Sequence, residues 1–350
     1  MTDLKSLTYP QLAGYMKQLG QPAYRAEQVF GWLHQKRVGS FDEMTNLSAA
    51  LRQTLAQQCY LNALTVQRKL VSQKDGTIKY LFGLRDGECV ESVLMDYHHG
   101  SSLCISTQVG CRQGCRFCAS TLGGWVRSLT PAEMLDEVYT AGADSGQRID
   151  SVVLMGIGEP LDNFENVLAF LEILSDPRGL NMSLRHVSLS TCGLVDKIYQ
   201  LAEKKLGLTL SVSLHAPNDQ VRSASMPIND KWNMETLLKA CRDYFAATGR
   251  RVSFEYALID GLNDSPAQAR ELARRLDGMM CHVNLIPVNP VKERGNRRSS
   301  RQAVERFRQT LEDCGVNATV RRELGTDINA ACGQLRRDHA AAAQRGEGQE

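Results

Sequence analysis

Leu103-Cys104-Ile105-Ser106-Thr107-Gln108-Val109-Gly110-Cys111-Arg112-Gln113-Gly114-Cys115-Arg116-Phe117-Cys118 is the stretch on which the reading of this chain turns. It opens as an apolar, β-branched run, the pattern of a strand, and passes through glycine into three cysteines spaced C-x3-C-x2-C. Three thiolates at that spacing can each hold one iron of a cubane iron–sulfur cluster, leaving the fourth iron without a protein ligand. Thiolates are soft ligands that suit zinc as well, so residue type alone leaves both open. The spacing favours the cluster, because structural zinc wants four closed ligands in paired knuckles and no obvious fourth accompanies these three. An open iron is what reductive chemistry on S-adenosylmethionine (SAM) needs, since SAM can chelate it through its amino and carboxylate groups.

Outward from this stretch the chain alternates strands and helices. Strands are expected at Leu103–Gln108, Ser151–Met155, His186–Ser190, Leu208–Leu214, Val252–Leu258 and His282–Pro287. Helical patterns follow at Pro131–Ala143, Asn163–Leu174, Asp196–Lys204, Met234–Ala247, Pro266–Leu276 and Arg301–Cys314. Six β/α repeats predict an α/β fold with a parallel sheet curled into a partial (β/α)6 barrel. A further strand is expected at Asn317–Arg322. Upstream, Leu12, Tyr15, Met16 and Leu19 share one helical face, and Val29, Phe30, Trp32 and Leu33 form a second apolar patch after Pro22. This predicts a small all-helical module over residues 1–62. Asp75-Gly76 between two apolar runs predicts a β-hairpin within 63–100. The barrel core then covers 101–335, and 336–350 reads as a flexible tail.

The full chain of 350 residues carries 41 Lys and Arg against 39 Asp and Glu, a balance that neither announces nor excludes nucleic acid. A basic run, Lys292-Glu-Arg-Gly-Asn-Arg-Arg298, fits a solvated loop or a contact with RNA phosphates. Eleven cysteines without a secretory leader point to thiol or metal chemistry in a reducing compartment. No stretch is apolar and long enough to span a bilayer, so the expected location is the cytoplasm and no membrane partner is expected.

Ligands of parallel β/α sheets gather at the carboxyl ends of the strands. The chemically loaded residues fall there repeatedly. The cysteine triad follows the first strand, and Gly156-Ile-Gly158-Glu159-Pro160 follows the second with a carboxylate that can receive an ammonium. Ser190-Thr191-Cys192-Gly193 follows the third, Ser213-Leu214-His215 the fourth and Asn289-Pro290 the sixth. Together they describe a small-molecule pocket. Two further cysteines stand apart. Cys104, within a strand, reads first as a small buried hydrophobe, the usual fate of a strand cysteine. Cys332, in Asp327-Ile-Asn-Ala-Ala-Cys332-Gly-Gln-Leu335, has small neighbours that suit a close approach to a ligand.

These residues resemble a known family. The run Cys104 to Cys118 is similar to that of the radical-SAM RNA methyltransferases of the RlmN type. So are Met155-Gly-Ile-Gly-Glu-Pro-Leu161, Ser213-Leu-His-Ala-Pro-Asn218, Met226-Pro-Ile-Asn229, Asn284-Leu-Ile-Pro-Val-Asn289 and Asp327–Leu335. The resemblance spans nearly the whole chain. It implies methylation of C2 of adenosine in large-subunit rRNA and beside certain tRNA anticodons. The implied cofactors are a [4Fe-4S] cluster held by Cys111, Cys115 and Cys118, and SAM, two molecules per turnover. SAM would be lined by Gly158, Glu159, Ser190, Ser213, Leu214, His215 and Asn289. Cys332 matches the methyl carrier, Cys104 the resolving thiol and Glu91 the proton acceptor.

Adenine C2 is electron-poor and cannot attack a methyl group itself. In the implied scheme the thiolate of Cys332 takes a methyl from one SAM. A radical generated from the second SAM activates that methyl, which adds to C2 as a covalent protein–RNA adduct. Loss of the C2 proton and attack of Cys104 on Cys332 release the product and leave a disulfide. The implied partners are rRNA, tRNA, an electron donor and a disulfide reductant, and the expected state is a monomer. The nearest alternative is the C8-methylating cousin that confers antibiotic resistance. Two more distant ones are another radical-SAM activase or methylthiotransferase, and a zinc-stabilised RNA-binding protein.

Overall fold

A computed structural model describes residues 1–288 and 295–330. Its centre is a ten-stranded sheet in which neighbours in sequence are neighbours in space. The strands are β1 (Thr65–Val71), β2 (Ile78–Gly83), β3 (Cys89–Tyr97), β4 (Gly100–Cys104), β5 (Ser151–Leu154), β6 (Val187–Thr191), β7 (Thr209–Ser213), β8 (Val252–Leu258), β9 (Cys281–Pro287) and β10 (Ala318–Val320). From β4 to β10 every pairing is parallel. The three strands before β4 pair antiparallel and extend the same sheet, so residues 63–100 are continuous with the barrel wall.

Helices at Pro131–Ser145, Phe164–Ser175, Val195–Glu203, Met234–Thr248, Pro266–Leu276 and Arg301–Asp313 follow the parallel strands, as the alternation predicts. Their starts are written locally. Thr130-Pro131 with Glu133, and Ser265-Pro266 with Gln268, each close a capping box behind a proline that needs no amide partner. One helix escaped the reading, Asp219–Ser225, too short for a periodic signal but capped by Asn218, which accepts from the Val221 amide.

The first barrel strand is a correction. It was expected over Leu103–Gln108 but ends at Cys104, and Gln108–Gly110 pairs instead with Trp125–Ser128 in a separate ribbon. Ser106 explains the break. Its amide donates to the buried Glu137 carboxyl, 3.0 Å, while its hydroxyl donates to the Glu91 carbonyl, 2.7 Å, and accepts from the Ile157 amide. The backbone there is satisfied by side chains in place of the sheet ladder. Burial pushes the Glu137 carboxyl well above the usual range.

The N-terminal module packs helices Tyr9–Gln18, Tyr24–Gly31 and Ala49–Gln58, and a two-residue parallel pairing of Thr2–Asp3 with Cys59–Tyr60 ties its ends. Leu12, Met16, Val29, Phe30 and Leu33 are buried in a core shared with the barrel; Tyr15, Leu19 and Trp32 pack on it partly exposed. Two buried polar contacts anchor the module to the Pro131–Ser145 helix. Lys5 Nζ donates to Asp136, 2.9 Å, and to the Asn62 carbonyl, 2.6 Å. His34 Nδ1 lies 3.1 Å from the Tyr139 hydroxyl.

Burial lowers the His34 pKa to about 3. The unfolded chain, with an ordinary imidazole, therefore takes up the proton first as the pH falls below about 6.5. Stability from this site is full above that pH and is lost towards pH 3. Relative to a His34→Phe variant, the protein should lose up to about 1.4 kcal/mol per pH unit in that window. Denaturant melts of both proteins at pH 7.5 and 5 measure the difference, and parallel curves would refute it.

Candidate active site

At the carboxyl ends of the parallel strands lies a cavity of about 570 Å³. Cys111, Cys115 and Cys118 line it from the loop after β4. Two close approaches shape that loop. A Cβ on Gly110, at φ +76°, would meet the Gly124 carbonyl oxygen at 1.9 Å, and one on Gly158, at φ +111°, would meet the Gln108 side chain at 2.6 Å. Glycine is required at both. The Cys111 amide donates to the Gly124 carbonyl and the Arg116 amide to the Ser225 carbonyl, so the ribbon and the short Asp219–Ser225 helix hold the loop from two sides.

Cys111 and Cys115 are buried and Cys118 is half-buried. Burial is the main cause that pushes the Cys111 thiol up to about 11 and Cys115 up to about 12. Among the described residues no three His, Cys, Asp or Glu side chains are placed to hold a single metal ion. A soft all-thiol donor set on a glycine-shaped loop fits a cubane, whose separate irons each take one thiolate.

Glu159 is buried at the turn after β5. Its carboxylate accepts from the Cys192 amide, 2.7 Å, and the Leu161 amide, 3.0 Å, and its own amide donates to Gln108. Burial raises its pKa and these hydrogen bonds oppose the rise. Ser190, Ser213 and His215 line the same cavity. His215 holds a left-handed φ of +54° and is fixed there because Asn263 donates to its carbonyl, 2.7 Å. Its Nδ1 accepts from the Ala257 amide, 2.9 Å, which puts the ring proton on Nε2. Burial lowers its pKa to about 3, so the ring is neutral.

Cys104 lies at the end of β4 and lines the cavity with Glu91 of β3. Glu91 Oε2 is 2.9 Å from Lys79 Nζ of β2, a pair almost wholly out of water. Lys79 also donates to the Asn329 carbonyl, 3.0 Å. The segment Leu324–Ala330 thus closes on the cavity. Leu324, Ile328 and Ala330 pack in one apolar cluster with Cys104, Val93 and Met95. Asp327 accepts from the Ser72 hydroxyl, 2.7 Å, and the Gln73 amide, 2.9 Å, in the β1–β2 turn.

Not every expected residue falls in place. Leu214 is buried but does not line the cavity, and its amide is spent on the Glu255 carbonyl. Asn289 and Cys332 lie outside the described residues. Of the basic run, Arg298 lines the cavity and pairs with Glu323, 2.6 Å, while Arg297 is exposed beside Asp260. Three residues were missed. Cys192, which the Ser190–Gly193 run carried without a role of its own, lines the cavity and packs with Cys115 and Met226. Arg222 is wholly buried beneath, donating to the Cys192 carbonyl, 2.7 Å, and to Asn229, 3.0 Å. Lys79 sat in a hairpin strand whose inward face carried no chemical motif.

Residues 105–273 match the family model described as Radical SAM superfamily, and residues 2–61 match the one described as Ribosomal RNA large subunit methyltransferase N-terminal domain. A protein of Lachnospira eligens named "Probable dual-specificity RNA methyltransferase RlmN" is 53% identical over 336 residues, 96% of each chain. One of the same name from Lachnoclostridium phytofermentans is 52% identical over 96% of this chain and 95% of its own. The chain belongs to the RlmN family. A solved radical SAM methyltransferase of Sphaerobacter thermophilus superposes with a TM-score of 0.89 at 43% identity, covering 95% of this chain and 99% of that one. The protein is a radical-SAM methyltransferase, and its cofactors are a [4Fe-4S] cluster and SAM. Among the described residues no helix is long and apolar enough to cross a membrane.

Proposed function

We propose that this enzyme methylates C2 of an adenosine in large-subunit rRNA and of the adenosine next to certain tRNA anticodons. One observation carries the reading. A single cavity is lined at once by the cysteine triad, the Gly158-Glu159 turn and Cys104, and the segment leading to Cys332 is laid against Cys104. Cys111, Cys115 and Cys118 hold the cluster, and Gly158, Glu159, Ser190, Ser213, His215 and Asn289 hold SAM. Bound together, these cofactors supply the hydrogen-abstracting radical that an inert methyl group requires.

The chain's own groups do the rest. Cys332, two residues past Ala330, presents its thiolate as the methyl acceptor. Glu91, positioned by Lys79, takes the C2 proton from the adduct. Cys104, as a thiolate, then attacks the Cys332 sulfur. The carbon–sulfur electron pair passes to the methylene carbon, which takes up a proton to become the methyl group, and a cellular reductant reopens the resulting disulfide. An external electron donor feeds the cluster, in keeping with a cytoplasmic enzyme acting as a monomer. The helical module over 1–62 and the basic run are the outer RNA contacts.

The test is nucleoside mass spectrometry of unmodified rRNA and tRNA after anaerobic incubation with reconstituted enzyme, SAM and reductant. 2-Methyladenosine is expected. 8-Methyladenosine would transfer the enzyme to the C8 cousin with the same cysteine chemistry. No methylated adenosine, from protein that still cleaves SAM, would sink the RNA substrate.

A further inference from the structure

The barrel is hollow below the active site as well. A second cavity, about 490 Å³, lies towards the amino ends of the parallel strands. Barrel interiors are ordinarily filled by branched aliphatic side chains. This one is walled by hydroxyls, with Ser188, Ser211 and Ser253 on the three adjacent strands β6, β7 and β8. Asn284 joins them, donating to the buried Glu255 carboxylate at 2.7 Å. Ser253 also donates to Glu255, 3.3 Å, so the wall is a hydrogen-bonded polar surface centred on one buried carboxylate. The volume falls within the roughly 300–1,000 Å³ of small-molecule sites.

Two features say what fits. Arg250 and Arg251 line the chamber immediately before β8, half-buried and exposed respectively, and among the described residues neither forms an ion pair. Arg250 spends one N–H on the Leu208 carbonyl, 3.3 Å, which holds its fork in place. Paired, forked guanidinium groups at the entrance to a polar cavity suit phosphates. The chamber also adjoins the active-site cavity across a shared wall. Met155 and Glu255 line both cavities, and on β4 Ser102 faces the lower one while Cys104, two residues on, faces the upper. The lower chamber therefore lies behind the wall that carries Cys104, within two residues of it along β4. A base must leave its stack to be reached at all.

We propose that the target nucleotide of the RNA enters the barrel from this lower end, with Arg250 and Arg251 holding its flanking phosphates and the extruded base received by the hydroxyl-lined wall. The inference rests on the reading of the protein as an RNA methyltransferase and assigns that substrate its route and its contacts.

Two experiments decide it. In the Arg250→Ala/Arg251→Ala variant, KM for a tRNA transcript should rise tenfold or more while kcat changes less than twofold. The slope of log KM against log salt should fall by about 1.4, from roughly 0.7 for each single-strand phosphate contact. An unchanged KM and slope would overturn the proposal. Should the variant fail to fold, wild-type enzyme settles it with RNA carrying a photoreactive 6-thiopurine in place of the target adenosine. Crosslinks to peptides spanning 250–255 or 282–284 are expected, and crosslinks confined to the N-terminal helices would overturn the route. Crosslinks at 250–255 from an enzyme that methylates no RNA would sink the proposed function while leaving the chamber a nucleotide site.

Discussion

A Cys104→Ala variant should stop after its first turnover as a covalent protein–RNA adduct, with multiple-turnover methylation lost. The expectation comes from where the fold puts Cys104. It ends β4, half-exposed, in an apolar cluster with Leu324, Ile328 and Ala330. Ala330 stands two residues before Cys332, so the chain from the docked segment to Cys332 is shorter than a single turn of helix. A disulfide needs its Cα atoms within about 7 Å, and a docked Ala330 makes that approach short. With Cys104 gone, the carbon–sulfur bond proposed between Cys332 and the RNA has no thiolate to break it. Gel shift under denaturing conditions, with peptide mapping of the attached nucleotide to Cys332, reads the result. Cys332→Ala should abolish both the adduct and methylation, and the double variant should behave like Cys332→Ala alone. A Cys104→Ala enzyme that turns over at the normal rate would remove the resolving role.

Much of this architecture was legible in advance, for a physical reason. Parallel strands buried on both faces leave continuous apolar runs, and two of the helices that cover them start with Thr-Pro or Ser-Pro boxes. Both signals are local. The glycine-cysteine loop was legible because metal ligands are constrained by spacing. What escaped was set by long-range contacts. Nothing within Leu103–Gln108 says that the strand stops at Cys104, because the cause, Glu137, lies 31 residues from Ser106. Cys192 looked like any strand-end cysteine until β6 placed it beside Cys115. Arg222 belonged to a helix of seven residues with no periodic face. Nothing in the hairpin pattern marks Lys79, yet every residue of β2 is buried because β1, β3 and the Leu324–Ala330 segment enclose it.

Lys79→Met should be among the most damaging single changes in the protein, and its repair separates folding from chemistry. The ammonium is about 1% exposed and lies 2.9 Å from the Glu91 carboxylate, itself about 3% exposed. A buried ion pair adds little net stability, since desolvation offsets attraction, but removing one partner strands the other charge. The loss is about 3–5 kcal/mol. Lys79 also donates to the Asn329 carbonyl, so the variant frees the segment that leads to Cys332. Methylation should therefore fall further than the melting curve alone explains. Adding Glu91→Gln to Lys79→Met removes the stranded charge and should recover most of the lost stability in denaturant melts. It should not recover methylation, because the proposed proton acceptor is gone with the charge. Recovery of both would make Glu91 a purely structural partner of Lys79. Recovery of neither would mean that the Asn329 contact, and not the ion pair, is what Lys79 is there to make.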